Sequence, residues 1–129
     1  MQGIVQEAPA LVSILRQGSY LIASIHAALD DTQMMRFRRD LIEAIGNQRT
    51  RGVIIDVAAL DVLDSFGARN VRDIAEMTRL RGAATVLVGI QPDVAFAMVA
   101  LGMGTGTIPT ALDLEEGLDL LDHTTRLAD

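Results

Sequence analysis

The chain has 129 residues, a formal net charge of −6, half of its residues apolar and no cysteine. At this length one domain spanning residues 1–129 is expected, with enough apolar side chains to bury a core. The acidic balance disfavours nucleic acid and acidic lipid surfaces, and the missing cysteines exclude disulfides, thiolate catalysis and Cys-ligated metal.

Aromatic residues make up only 3% of the chain, so Val, Ile, Leu, Ala and Met must fill the core. The opening MQGIVQEAPA has neither a basic n-region nor an apolar h-region. The apolar stretch around Val94 to Met103 falls far short of the roughly 20 residues that a spanning helix needs. A cytoplasmic location away from membranes is therefore the expectation.

Leu11-Val12-Ser13-Ile14-Leu15 reads as a short strand, Gln17-Gly18-Ser19 as a turn, and Tyr20 to Ile25 as the partner strand of a hairpin. Pro9 just before it suits an edge position. Asp30-Asp31-Thr32 offers N-cap chemistry for a helix to about Ile45. Met34, Phe37, Leu41, Ala44 and Ile45 recur at helical spacing on its inner face. Gly46-Asn47 ends it, and Gln48 to Arg51 links into a central strand.

Val53 to Val57 is apolar on both faces apart from Asp56, as a strand covered by helices on both sides should be. A short loop leads to Asp64-Ser65-Phe66-Gly67, where a second helix begins. Val71, Ile74, Ala75 and Thr78 form its buried stripe. Arg69 with Asp73 and Arg72 with Glu76 stand at i, i+4 on the other face. Gly82 closes it.

Ala84 to Ile90 is another continuous apolar strand. Gln91-Pro92-Asp93 opens a third helix through Val94, Met98 and Leu101 to Gly102. Thr107-Ile108-Pro109-Thr110 reads as a short edge strand. Asp113 and Glu116 cap a last helix, Leu114 to Leu121, and residues 123–129 read as a frayed tail. Strands alternating with helices predict an α/β fold. Its sheet has about five strands, mostly parallel, with an antiparallel edge from the N-terminal hairpin.

Ser65 is the residue that invites a chemical question. On a strand-to-helix turn its hydroxyl is a cap, a nucleophile or a phosphate acceptor. A nucleophile elbow needs G-x-S-x-G, and Leu63-Asp64-Ser65-Phe66-Gly67 lacks the first glycine. Only His26 and His123 could serve as a base, and neither is placed to do so, so no enzymatic activity is expected. The Gly102-Met103-Gly104-Thr105-Gly106-Thr107 run follows a helix and leads into a strand, the reverse of a phosphate-binding loop, and no lysine follows it. It reads as a helix stop. Asp56, Asp61 and Asp64 lack the spacing of a cation loop, so neither a metal nor a cofactor is expected.

From composition alone capping is favoured, since Ser and Asp are common at helix starts. Two details shift the balance towards a phosphate acceptor. Phe66 and Gly67 read as exposed beside a serine that is not needed if Asp64 caps. A helix N-terminus also stabilises negative charge by ~0.3–1 kcal/mol, and Arg69 lies one turn on to pair with it.

At these residues the chain resembles the STAS domain family, the fold of sulfate transporters and anti-sigma-factor antagonists. Val62-Leu63-Asp64-Ser65-Phe66-Gly67-Ala68-Arg69, Val86-Leu87-Val88-Gly89-Ile90-Gln91-Pro92 and Ile108-Pro109-Thr110-Ala111-Leu112-Asp113-Leu114-Glu115 are similar to the RsbS-type subgroup of stressosome proteins. Anti-sigma antagonists usually carry a small residue and then glycine after the serine. Here Phe66 intervenes, which favours the RsbS-type reading.

The resemblance implies a phosphorylatable scaffold, not an enzyme. Ser65 would be the acceptor, supported by Asp64, Phe66, Gly67 and Arg69. The implied partners are RsbR-type STAS paralogues, an RsbT-type serine kinase, an RsbX-type phosphatase and further copies of the chain, in dimers and a larger assembly. Paralogues use threonine acceptors, which raises Thr78 and Thr85 as secondary sites. Two alternatives stand beside this reading: an antagonist that binds an anti-sigma kinase directly, and a STAS module that binds a small ligand or lipid.

Overall fold

A computed structural model describes residues 11–47, 49–100, 102 and 108–128. Its elements in chain order are β1 (Val12–Gln17), β2 (Tyr20–Ile25), α1 (Asp31–Asn47), β3 (Gly52–Asp56), α2 (Ser65–Leu80), β4 (Ala84–Val88), α3 (Pro92–Ala100), β5 (Thr110–Ala111) and α4 (Leu114–Ala128). They form one five-stranded sheet in the order β1-β2-β3-β4-β5. β1 and β2 pair antiparallel, with Gln17 opposite Tyr20 at the turn. β2, β3, β4 and β5 all run parallel. The mixed sheet expected from the sequence is the one observed.

The two-residue period of β3 divides the core. Val53, Ile55 and Val57 meet Met34, Phe37 and Leu41 of α1, Val71 and Ile74 of α2, and Val94 and Met98 of α3. Ile54, with Val86 and Val88 of β4, meets Leu121 of α4 on the opposite face. Alternate side chains of a strand point to opposite faces, so helices must cover both sides. The starts of α1, α2 and α4 each carry a side-chain cap. Asp30 Oδ1 accepts from the Gln33 amide at 2.7 Å while Gln33 Oε1 accepts from the Asp30 amide at 2.8 Å, a reciprocal capping box. Asp113 Oδ1 accepts from the Glu116 amide at 2.9 Å.

Four expectations need correction. The supposed tail from His123 is helical through Ala128. Contacts made far away in sequence hold it: Tyr20 Oη donates to Asp122 Oδ1 at 2.6 Å, and an Arg51 guanidinium N–H donates to the Thr125 carbonyl at 3.1 Å. Burial of Tyr20, and then its bond to the Asp122 carboxylate, push the phenol pKa above its ordinary 10.0.

β4 stops at Val88 rather than Ile90, because Gly89 takes φ +79° and leaves the strand. The edge strand is Thr110–Ala111, paired with Leu87 and Val88. Pro109 has no N–H to give and contributes only its carbonyl, which accepts from the Leu87 amide.

The i, i+4 ion pairs expected on α2 also differ. Asp73 lies 3.8 Å from Arg38 of α1. Glu76 pairs with Arg79, whose hydrogen bond holds the Glu76 carboxyl below its ordinary range. Neither Arg69 nor Arg72 makes an ion pair with a described residue. The readings made for Pro9, Gln48, Leu101, residues 103–107 and Asp129 lie outside the described residues. No helix among the described residues is long and apolar enough to cross a membrane.

Candidate functional site

The segment between β3 and α2 leaves the carboxyl end of a parallel strand, where open α/β sheets place their functional groups. It is tied down before the helix begins. The Val57 amide donates to the Val88 carbonyl, and the Leu60 amide to the Val57 carbonyl. Asp56 Oδ1 accepts from the Ala58 amide at 2.9 Å, and Gln91 Nε2 donates to the Ala58 carbonyl at 2.7 Å. Gly89 presses on the same place: a Cβ there would lie 2.7 Å from Ala58 Cβ and 3.0 Å from its Cα. The loop after β3 and the loop after β4 are thus joined.

Asp64 is the N-cap of α2. Its backbone is extended (φ −80°, ψ 175°) and its Oδ1 accepts from the Gly67 amide at 2.7 Å. The close turn needs the glycine, because a Cβ at position 67 would lie 2.8 Å from Leu63 Cδ1 and 3.2 Å from Asp64 Oδ1.

Ser65 follows as the first helical residue. It is exposed, and its hydroxyl has no hydrogen bond to a described residue. Among the described residues the backbone amides of Ser65 and Phe66 are also without acceptors. These are the orphan donors that a helix start leaves over. An exposed hydroxyl therefore stands beside two N–H groups at the positive end of a sixteen-residue helix.

The other predicted residues divide. Arg69 is exposed one turn along the same helix, as expected. Phe66 and Gly67 are not the exposed pair read from the sequence. Phe66 is half-buried against the core, and Gly67 is buried under Leu63 and Met34. Their work is to set the first turn. Thr78 is fully buried and its Oγ1 donates to the Ile74 carbonyl at 2.7 Å. Thr85 is 7% exposed. Neither presents a hydroxyl to an enzyme in the folded chain.

His26 bonds Ser13 across the β1–β2 hairpin at 3.1 Å, so it is engaged away from Ser65. Among the described residues no three His, Asp or Glu side chains gather as a metal site would require. Of the Gly102 to Thr107 run only Gly102 is described, with φ +68°.

Two supporting residues were missed from the sequence. Asn70 is 3% exposed; its Nδ2 donates to the Phe66 carbonyl at 2.9 Å and its Oδ1 accepts from Arg38 at 3.1 Å. It fixes the first turn of α2 to α1. The available signal was an Asn, a poor helix former, one turn after Phe66 and beside the apolar stripe. Gln91 was read only as part of a helix start, and nothing local pointed to its reach back to Ala58.

A sequence model described as the STAS domain matches residues 12–117. RsbS from Moorella thermoacetica, solved with a serine-to-glutamate substitution, is 33% identical and superposes with a TM-score of 0.81. That match covers 91% of this chain and 99% of that one. A chain from the structure of the stressosome, described as a signal integration and transduction hub, is 31% identical with a TM-score of 0.74, covering 88% of this chain and 99% of that one. The RsbT co-antagonist protein RsbRA of Bacillus subtilis is 29% identical over 90 residues, which is 70% of this chain and 33% of that protein. This chain thus spans about a third of the length of the curated relatives it matches.

Proposed function

This chain belongs to the STAS domain family, and on that footing we propose that it is a phosphorylatable scaffold of a bacterial stressosome. It holds an RsbT-type switch kinase and releases it when Ser65 is phosphorylated. One observation carries the reading: Ser65 is exposed and unbonded at the start of α2 because Asp64 already caps the helix. The likeness to RsbS and to a stressosome chain supports the setting, a cytoplasmic assembly built with RsbR-type STAS paralogues and further copies of this chain. An RsbX-type phosphatase resets the site. The chain acts by presenting a surface and not by catalysis.

The physical step is local. Phosphorylation adds about −1.5 to −2 charges and three acceptor oxygens. The free amides of Ser65 and Phe66 and the exposed Arg69 guanidinium stand ready for them. The fold tolerates the charge, while a partner seated on this surface meets a filled and negatively charged site.

The test is phosphosite mapping after incubation with an RsbT-type kinase and ATP. One phosphate on Ser65 is expected, with none on Ser65→Ala. A phosphate elsewhere on the chain would move the switch away from α2. Size-exclusion chromatography with an RsbR-type paralogue tests the setting, since a scaffold forms a very large species. Persistent small complexes would indicate an antagonist working outside such a particle.

A further inference from the structure

Two exposed rows of side chains, on opposite faces of the sheet, carry complementary charge. On α2, Ser65, Arg69, Arg72 and Glu76 are all exposed. Their spacing of four, three and four residues sets them in one row along the helix. On α4, Glu115, Asp119, Asp122 and Arg126 are exposed at the same spacing. From the N-terminal end the α2 row runs neutral, positive, positive, negative. The α4 row runs negative, negative, negative, positive.

Most of this charge is unspent within the chain. Arg69, Arg72, Glu115 and Asp119 make no ion pair with a described residue. Asp122 gives one oxygen to the Tyr20 hydroxyl and keeps the other. Arg126 donates from Nε to the Asp122 carbonyl, which leaves its outer nitrogens. Glu76 alone in the two rows has an ion-pair partner among the described residues, Arg79. The acid is also concentrated, since residues 113–128 hold five carboxylates against one arginine. Copies of a chain with net charge −6 repel one another in most orientations, so an attractive face must bring opposite charges together.

The topology supplies the orientation. α2 covers one face of the sheet and α4 the other. Both helices set out from the carboxyl end of a parallel strand, α2 after β3 and α4 after β5, so they run in the same direction. A second copy stacked by translation across the sheet lays its α4 parallel to α2 of the first. The geometry points to a contact between copies in which α2 of one lies along α4 of the next, with Arg69 on Asp119, Arg72 on Asp122 and Glu76 beside Arg126. The contact is heterologous: each copy offers α2 to one neighbour and α4 to another. Exposed ion pairs are weak singly. The contact is therefore weak between two copies and gains strength where many are held together.

The same register sets Ser65 opposite Glu115. A phosphate on Ser65 faces that carboxylate and draws Arg69 away from Asp119, so modification loosens the neighbouring copy. This switch rests on the proposed role of Ser65; the contact between unmodified copies does not.

Sedimentation velocity of the full chain over a concentration series, at about 0.05 M salt to limit screening, tests the contact. The parent should self-associate reversibly. Arg69→Glu and Asp119→Arg each bring like charges together and should each weaken association at least about tenfold. An equal mixture of the two variants should associate as the parent does, because every α2–α4 contact in an alternating stack is then oppositely charged. Ser65→Asp, with its carboxylate facing Glu115, should associate about tenfold more weakly. Both charge reversals and Ser65→Asp fall on exposed positions, so circular dichroism of each variant should match the parent. A parent that stays monomeric, a charge-reversed variant that associates like it, a mixture no better than its components, or unchanged association of Ser65→Asp would each overturn the proposal. None of these measurements involves a kinase, so this contact and the phosphorylation of Ser65 fail separately.

Discussion

Asp64 Oδ1 accepts the Gly67 amide at 2.7 Å, and this one bond gives the cap of α2 to Asp64 and not to its neighbour Ser65. With the cap supplied by Asp64, the adjacent Ser65 hydroxyl has no structural duty. Asp64→Ala should therefore cost about 0.5–2 kcal/mol of stability, as lost N-caps do. Ser65→Ala should stay within about 0.5 kcal/mol of the parent, as exposed substitutions do. Urea denaturation of the two variants side by side measures this. An equal loss in Ser65→Ala would return that serine to a capping role.

The exposed position of Ser65 also separates folding from recognition. Ser65→Asp places a carboxylate at a helix N-terminus, where negative charge is favoured. Its circular dichroism spectrum and denaturation midpoint should match the parent. Affinity for an RsbT-type kinase, read in a pull-down or by calorimetry, should fall at least about tenfold through like charge and a filled site. Intact kinase binding by a well-folded variant would argue that the kinase docks elsewhere.

Gly89 joins the two loops beside the site through its φ of +79° and its approach to Ala58. Gly89→Ala meets both obstacles together. The left-handed backbone costs an L-residue roughly 1–2 kcal/mol, and forcing a methyl into packed atoms costs about 1–3 kcal/mol. A loss of about 2–5 kcal/mol is expected in chemical denaturation. Amide shifts should spread to residues 57–64, since Ala58 must move to admit the methyl. A neutral substitution would mean that the loops are not pressed together.

Tyr20 is the single tyrosine of the chain, so ultraviolet absorbance reports its titration alone. Its phenol pKa is raised above 10.0, by burial first and by its bond to Asp122 second. The protonated form is thus favoured in the folded chain. The stabilisation it brings is complete below pH 10 and disappears as pH climbs through the raised value. Alkaline titration should show ionisation above the ordinary tyrosine range, with loss of α4 helicity following it. Asp122→Ala should bring the midpoint down towards 10.0. A midpoint that ignores Asp122 would remove this contact as an anchor of α4.

Periodicity alone made much of the architecture legible. Met34, Phe37 and Leu41 recur at helical spacing, and the apolar run of Val53 to Val57 announces a strand covered on both sides. Burial of this kind is written along the chain, residue by residue, so the element order and the mixed sheet follow from it. The acceptor candidate was legible for the same reason, because Asp-Ser at a strand-to-helix turn is a local pattern. What the sequence left open was the division of labour between two neighbours that both suit a cap. The extended backbone of Asp64, set by the loop beneath it, assigns the cap to Asp64 and leaves Ser65 free.

Contacts between distant residues decided the rest. Arg38 reaches Asn70 across 32 positions and Tyr20 reaches Asp122 across 102. Such partners meet only after the helices have packed on the sheet. That is why the end of α4 read as a frayed tail, why Phe66 and Gly67 read as exposed, and why Thr85 gave no hint that its hydroxyl would be buried without a partner.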